Sequence, residues 1–314
     1  VELVRVVGYD LANFEEGLEL ADDASAAIDR VGGNPLLTAD LENYRGSLYR
    51  RKGALAAARQ HHARAMEIFS KRLGEGHPET VATVGNLGCG GAIQNDFESA
   101  GDAFERSLET VRTRVGDNHP AVARELSMMG NLDLLRARTV AGQERRELAD
   151  QARSRFERVI EIQSRVYGAD DLRLDDAFHN LGLAWILGTN FEAGRQALSR
   201  ALELTSQRLR EDHPDVIETK AELGDCLVKL GRLEEGEVLL TEVLRSREAA
   251  GVTGRSIGGV RLSLAERFLN DEPRRSRELL GTALADFGPI DKLQVLDKER
   301  IRALAQALDA PLEP

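Results

Sequence analysis

The sequence predicts an all-α fold, a stack of helical hairpins forming a solenoid. Three observations lead there. Ala, Leu, Glu and Arg dominate the 314 residues, while 4% are aromatic and eight are proline, a balance that favours helices over a sandwich or barrel. His-Pro pairs recur at 77–78, 119–120 and 213–214, separated by 42 and then 94 residues, which is two periods of 42 plus ten. Glycines recur in the same register at Gly46, Gly88, Gly130, Gly182 and Gly224, with intervals of 42, 42, 52 and 42, so the extra ten residues fall within one unit.

Each His-Pro pair opens a hairpin. Its proline occupies the first helical turn, where a missing N–H is harmless, and the glycine before it ends the preceding helix. Asn34-Pro35 begins the series, and a copy that has lost both His and Pro falls at Asp171-Leu172. The spacing predicts pairs at 36–51 with 55–73, 79–94 with 97–115, 121–138 with 146–167, 173–188 with 191–210, and 215–230 with 233–249.

Second helices carry a small residue (Ala58, Ala100, Ala152, Gly194, Gly236), a larger one four positions on (His62, Phe104, Phe156, Leu198, Leu240) and a compact one three further (Ala65, Ser107, Val159, Ala201, Val243). Positions i, i+4 and i+7 share one helical face, and small side chains let two axes approach closely. A mid-helix glycine costs about 1 kcal/mol against alanine, so five in one register imply packing that returns more.

Ala152 follows Gly130 by 22 residues where twelve are expected. The ten-residue insertion therefore lies near 138–147, either extending a helix or forming a projecting loop. Residues 1–33 read as a truncated first hairpin with Phe14 to Val31 as its second helix, and 34–254 as the five repeats. Residues 255–288 read as a degenerate hairpin, with Glu266 in the glycine's place and Pro273 shortening the second helix. Residues 289–314 are a capping helix, about Lys292 to Leu308, and a tail.

This pattern resembles the tetratricopeptide repeat in its 42-residue, kinesin-light-chain-like form, where a Gly-x-x-His-Pro linker also joins successive hairpins. The resemblance implies a right-handed superhelical solenoid of tetratricopeptide-type hairpins with a C-terminal capping helix. It also implies a concave groove, lined by first helices, that holds an extended peptide or partner helix.

With the repeated glycine as position 8, the family's groove positions fall on Asn43 (5), Asn86 (6), Asn131 (9), His179 (5) and Asn180 (6). Such asparagines resemble those that grip peptide backbone, since an amide both donates and accepts; the alternative is that they satisfy themselves or water. Arg50, Arg51 and Arg124 in early units, against Glu218, Glu222 and Asp225 in the sixth, imply a ligand acidic at one end and basic at the other.

Other chemistry is excluded by composition and spacing. A net charge of −11 argues against nucleic acid and anionic membranes as partners. No stretch approaches the ~18 apolar residues of a membrane span. Cys89 and Cys226 have no metal-ligand or redox spacing, which fits two packed, reduced thiols and the cytoplasm. Adjacent His61 and His62 point to different helix faces and cannot chelate one ion.

Asp286-Phe287-Gly288 spells the kinase metal-binding triplet, but no glycine-rich loop or catalytic loop precedes it; it ends a helix. No catalytic, cofactor or metal site is expected. The reading is a non-catalytic scaffold for a protein or peptide. Alternatively, Gly-Gly-Asn-Pro at 32–35 and Leu-Arg-Ser-Arg-Glu-Ala-Ala-Gly at 244–251 resemble the C-terminal region of multidomain bacterial, myxobacterial-type serine/threonine kinases. The chain would then be a regulatory or substrate-recruiting arm, with a kinase or nucleotide-binding domain upstream of Val1.

Overall fold

The computed structural model describes residues 1–10, 13–74, 77, 79, 80, 82, 83, 86 and 97–309. Among them no strand occurs. An α turn, Glu2–Val4, runs into π-helical Arg5–Asp10. Then come α1 (Phe14–Arg30), α2 (Pro35–Arg51), α3 (Leu55–Leu73), α4 (Phe97–Val115), α5 (Pro120–Ala137) and α6 (Gly142–Tyr167). A 3-10 turn, Leu172–Leu174, leads into α7 (Asp175–Leu187), α8 (Phe191–Arg208), α9 (Pro214–Lys229) and α10 (Leu233–Ala249). α11 (Arg255–Phe268), α12 (Pro273–Phe287), a 3-10 turn at Ile290–Lys292 and α13 (Val295–Leu308) complete the chain.

Of the helix expected at 79–94, Glu79, Thr80, Ala82, Thr83 and Asn86 are described and helical; Gly88 and Cys89 lie outside the described residues. The chain divides into two compact units, Val1–Leu135 with Arg155–Ala169, and Arg136–Ser154 with Asp170–Pro314. Within the first, α2 pairs with α3. Within the second, α7 pairs with α8, α9 with α10 and α11 with α12, and each hairpin packs on the next.

The His-Pro register is a capping register. The first N–H groups of a helix lack intrahelical partners, and a side-chain acceptor just before the helix satisfies one of them. Asn34 Oδ1 accepts from the Leu36 and Leu37 amides at 3.1 and 3.3 Å. His77, His119 and His213 accept through Nδ1 from the amides of Glu79, Ala121 and Asp215, at 3.2, 3.1 and 3.1 Å. Where His and Pro are lost, Asp171 takes over, its carboxylate accepting from the Arg173 amide at 3.0 Å.

Chain entry to these caps needs left-handed backbone at Gly74, Gly116 and Gly168, with φ of 92°, 79° and 102°. His213→Ala is therefore expected to lower stability by about 1–2 kcal/mol, and His213→Asn, which keeps an acceptor, by less than half as much; urea unfolding of the full chain measures both.

The repeated glycines meet the large residues of the second helices. A Cβ built on Gly130 would stand 2.7 Å from Phe156, on Gly182 2.6 Å from Leu198, and on Gly224 2.8 Å from Leu240. On Gly46 it would meet the His62 ring at 2.7 Å. The small residues complete the approach: a Cβ on Gly236 would stand 2.9 Å from the Gly224 carbonyl oxygen. Glycine at both positions removes the Cβ atoms that would hold the axes apart, and the large side chain then fills the space beside them. Phe104, Phe156, Leu198 and Leu240 are at most 1% exposed.

One local expectation is corrected and one alternative is decided. The last hairpin does not place Glu266 at the glycine's position; the register slips by one residue. Ala265 is fully buried, and its carbonyl accepts from Ser276 Oγ at 2.6 Å. Ser276, Leu280 and Ala283 then repeat the small, large, compact stripe, all at most 1% exposed. The slip frees Glu266 to face elsewhere. The inserted residues mostly lengthen the second helix of their unit, which starts at Gly142 and runs 26 residues.

α13 caps the last hairpin with Ile301, Leu304, Ala305 and Leu308, which join Leu262, Leu280 and Leu284 in one apolar cluster. No helix is long and apolar enough to cross a membrane among the described residues.

Candidate functional site

In the second unit the first helices α7, α9 and α11 touch in succession, and a cavity of about 390 Å³ opens on their face. Part of its wall is built from positions that the 42-residue register singles out. From α9 come Glu218, Glu222 and Asp225, at positions 2, 6 and 9, with Ala221 and Lys229 between and beyond them. α7 contributes Leu183, Ile186 and Leu187, and α11 contributes Ser256, Val260 and Ser263. The result is a cavity lined by both aliphatic and charged side chains, suited to a segment that buries an apolar side chain and pairs its charges with those of the wall.

The acid at position 9 is already engaged. Asp225 is 7% exposed and lies between Lys229, 2.5 Å away, and Arg300 of α13, 2.6 Å away; the Ser263 hydroxyl also donates to it. Burial works against the charged carboxylate, but the Arg300 and Lys229 cations outweigh it and hold Asp225 well below the usual carboxylate range. Glu266 shares the same edge of that guanidinium, accepting from Nε at 2.9 Å and from Nη2, which also serves Asp225, at 2.6 Å.

Glu218 and Glu222 remain nearer solvent, with Arg138 4.0 Å from Glu222. Arg247 reaches the cavity from α10 and donates to the Ser256 carbonyl at 2.6 Å. Its desolvation lowers its pKa against the pull of Glu218 and Glu222.

His179 and Asn180 sit half-buried on α7. His179 Nδ1 is 3.0 Å from the Thr219 hydroxyl of α9, so it ties two first helices together. Among the described residues the Asn180 amide has no hydrogen-bond partner, which leaves its donor and acceptor available.

In the first unit, Asn43 is spent internally. Its Oδ1 accepts from Asn86 Nδ2 at 3.0 Å and lies 2.8 Å from His62 Nδ1. Asn86 keeps its carbonyl, while Asn131, half-buried on α5, has no partner among the described residues. Arg124 pairs with Glu79 at 3.6 Å and Glu125 at 3.3 Å. The Arg50 guanidinium stands near His62, and its Nε is buried without a partner among the described residues.

His61 and His62 do diverge, the first stacking on Tyr49 and bonding Glu42 at 2.9 Å. Cys226 is buried and donates to the Phe191 carbonyl at 3.1 Å; burial pushes its thiol up to about 12. Arg138, Arg247, Arg255 and Arg300 were not among the positions that the repeat register points to. Arg247 comes from a second helix, Arg138 from a loop and Arg300 from the cap, where no groove numbering applies, and Arg255 opens α11 ahead of the numbered positions.

Residues 37–111 match the family model of the tetratricopeptide repeat. Among curated protein sequences none matches the chain. Among solved structures, a tetratricopeptide repeat protein from Parabacteroides merdae superposes with a TM-score of 0.50 at 14% identity, covering 98% of each chain. BtubC (BKLC) from P. vanneervenii is similar over 76% of this chain and 92% of its own, at 15% identity and a TM-score of 0.48. A protein of Podospora anserina assigned as a kinesin light chain, built of nearly identical repeats, covers 69% of this chain and 98% of its own, at 16% identity and a TM-score of 0.45. At these identities the likeness concerns the fold.

Proposed function

We propose that this chain of tetratricopeptide repeats is a non-catalytic protein-interaction scaffold that binds a peptide or partner segment on the first-helix face of its second unit. The observation behind the proposal is the coincidence of the cavity with groove positions 2, 6 and 9 of α9, beside an α7 whose Asn180 amide is unpartnered among the described residues. An amide in that state can bond a partner's backbone in either direction, and Glu218 and Glu222 supply negative charge for a basic side chain.

The test is selection of peptides from a random displayed library on the full chain, followed by calorimetry with the best synthetic peptide. Asn180→Ala and Glu222→Ala are each expected to weaken binding at least about fivefold. Glu234→Ala, on the exposed face of second helix α10, leaves it unchanged. Selected peptides should be basic. Failure to select any peptide, or affinities indifferent to Asn180 and Glu222, would sink the proposal.

A further inference from the structure

The C-terminal helix does more than cap. Its buried stripe, Ile301, Leu304, Ala305 and Leu308, lies against α11 and α12, and Leu293 packs on the same cluster just before the helix, while the first turns carry a set of polar contacts. Arg300 reaches across the cavity to Asp225, 75 residues earlier in sequence and on the neighbouring hairpin. Asp297 pairs with Arg255, Gln294 accepts from the same arginine at 2.9 Å, and Glu299 pairs with Arg145 at 2.7 Å. The Leu296 amide points to the Arg138 carbonyl at 3.5 Å. Both Arg138 and Arg145 belong to the inserted residues, so the insertion and the C-terminal segment meet at the cavity.

The receptor for Arg300 is a built one. Asp225, both oxygens of Glu266 and the Ser263 hydroxyl converge on one guanidinium, the last at 3.0 Å from Nη2. Two carboxylates and a hydroxyl on facing first helices, α9 and α11, match the planar fork of arginine and would hold lysine less well. Removal of Arg300 would leave Asp225 buried with only Lys229 as counter-ion.

We infer that this cluster is an arginine-reading subsite of the groove, held shut in the free chain by the protein's own segment 294–300 acting as a resident competitor, so that its partner is a segment that places an arginine at Asp225, Glu266 and Ser263. The inference rests on the groove being used as proposed above. A partner arginine gains the same four hydrogen bonds that Arg300 gives up, and the exchange is controlled by whatever weakens the polar attachment of residues 294–300. Gly288, with φ of 71°, and a short turn lie at the base of this segment, while Ile290, Leu293 and the apolar stripe keep the turn and the rest of α13 seated.

The probe is a fluorescein-labelled peptide copying residues 293–309, in two forms, with Arg300 and with Arg300→Ala. Titrated against the full chain and the full-length Arg300→Ala variant, the arginine peptide is expected to bind the variant at least tenfold tighter than the unmodified chain, and the alanine peptide to bind neither. Hydrogen exchange of 289–300 should rise when a library-selected peptide is bound.

Equal affinity of the arginine peptide for both chains, or equal binding of the two peptides, overturns the arginine-reading subsite. Library peptides that bind through Asn180 and Glu222 without faster exchange at 289–300 overturn the competitor role and leave the groove reading standing. A dimer of the unmodified chain that Arg300→Ala abolishes, seen by sedimentation, assigns the subsite to a second copy's helix and overturns the resident arrangement.

Discussion

Gly182→Val is expected to cost about 2–3 kcal/mol of stability, seen as a shift of the urea midpoint of the full chain. Its Cβ would stand 2.6 Å from Leu198 Cγ, 2.9 Å from Leu198 Cδ2 and 3.2 Å from the Gly194 carbonyl oxygen. Leu198 is fully buried and has nowhere to turn, and the Gly194 contact is backbone, which side-chain rearrangement cannot relieve. Overpacking of this kind outweighs the few tenths of a kcal/mol that valine gains over glycine in helix propensity. Leu198→Ala in the same chain should recover part of the loss.

The comparison that makes this a statement about the repeat is Gly281→Ala. Gly281 is also helical, but exposed, and an added Cβ finds nothing within 4 Å. There the substitution should stabilise by about 0.5–1 kcal/mol, because only propensity and chain entropy act. If both substitutions moved stability in the same direction, close packing would not be the reason for the repeated glycine.

The second large effect is pH-dependent and belongs to His62. This residue fills the place that phenylalanine takes in the next two units, is 1% exposed, and leaves Nε2 buried without a partner among the described residues. Burial, then the Arg50 cation and His61, lower its pKa from 6.5 to about 4. The folded state therefore refuses a proton that the unfolded chain accepts. Below pH 6.5 the unfolded state gains protonation free energy, so the chain loses stability as pH falls, until the folded imidazole also titrates near 4.

At pH 5 the loss from this group is about 2 kcal/mol, approaching about 3 kcal/mol below pH 4. His62→Phe should remove that share of the acid sensitivity while the carboxylates keep theirs, read as the difference between the two chains' unfolding free energies at pH 7.5 and pH 5. Equal pH slopes would show that His62 is not the buried base described.

Much of the architecture was legible because it repeats. A glycine every 42 residues, a cap before each first helix and a small, large, compact stripe on each second helix are local or hairpin-range features, spaced by the helical period itself. Each could be read from spacing, down to Asp171 replacing a lost His-Pro. Glu266 escapes the period because a one-residue slip leaves the side-chain stripe of α12 intact while it moves the first helix by a position. Asn43 stands on a first helix, yet its carbonyl serves His62 and Asn86.

The sequence by itself determined the hairpins, their order and which residues make them fit, since those follow from periodicity and from the volumes of residues at fixed offsets. Tertiary structure alone decided what becomes of Asp225. Its partner Arg300 is 75 residues away on a helix outside the repeat, and no period connects them. An ion pair of that kind depends on where α13 lands after the stack has formed, and the docking of a cap is set by the shape of the assembled surface beneath it.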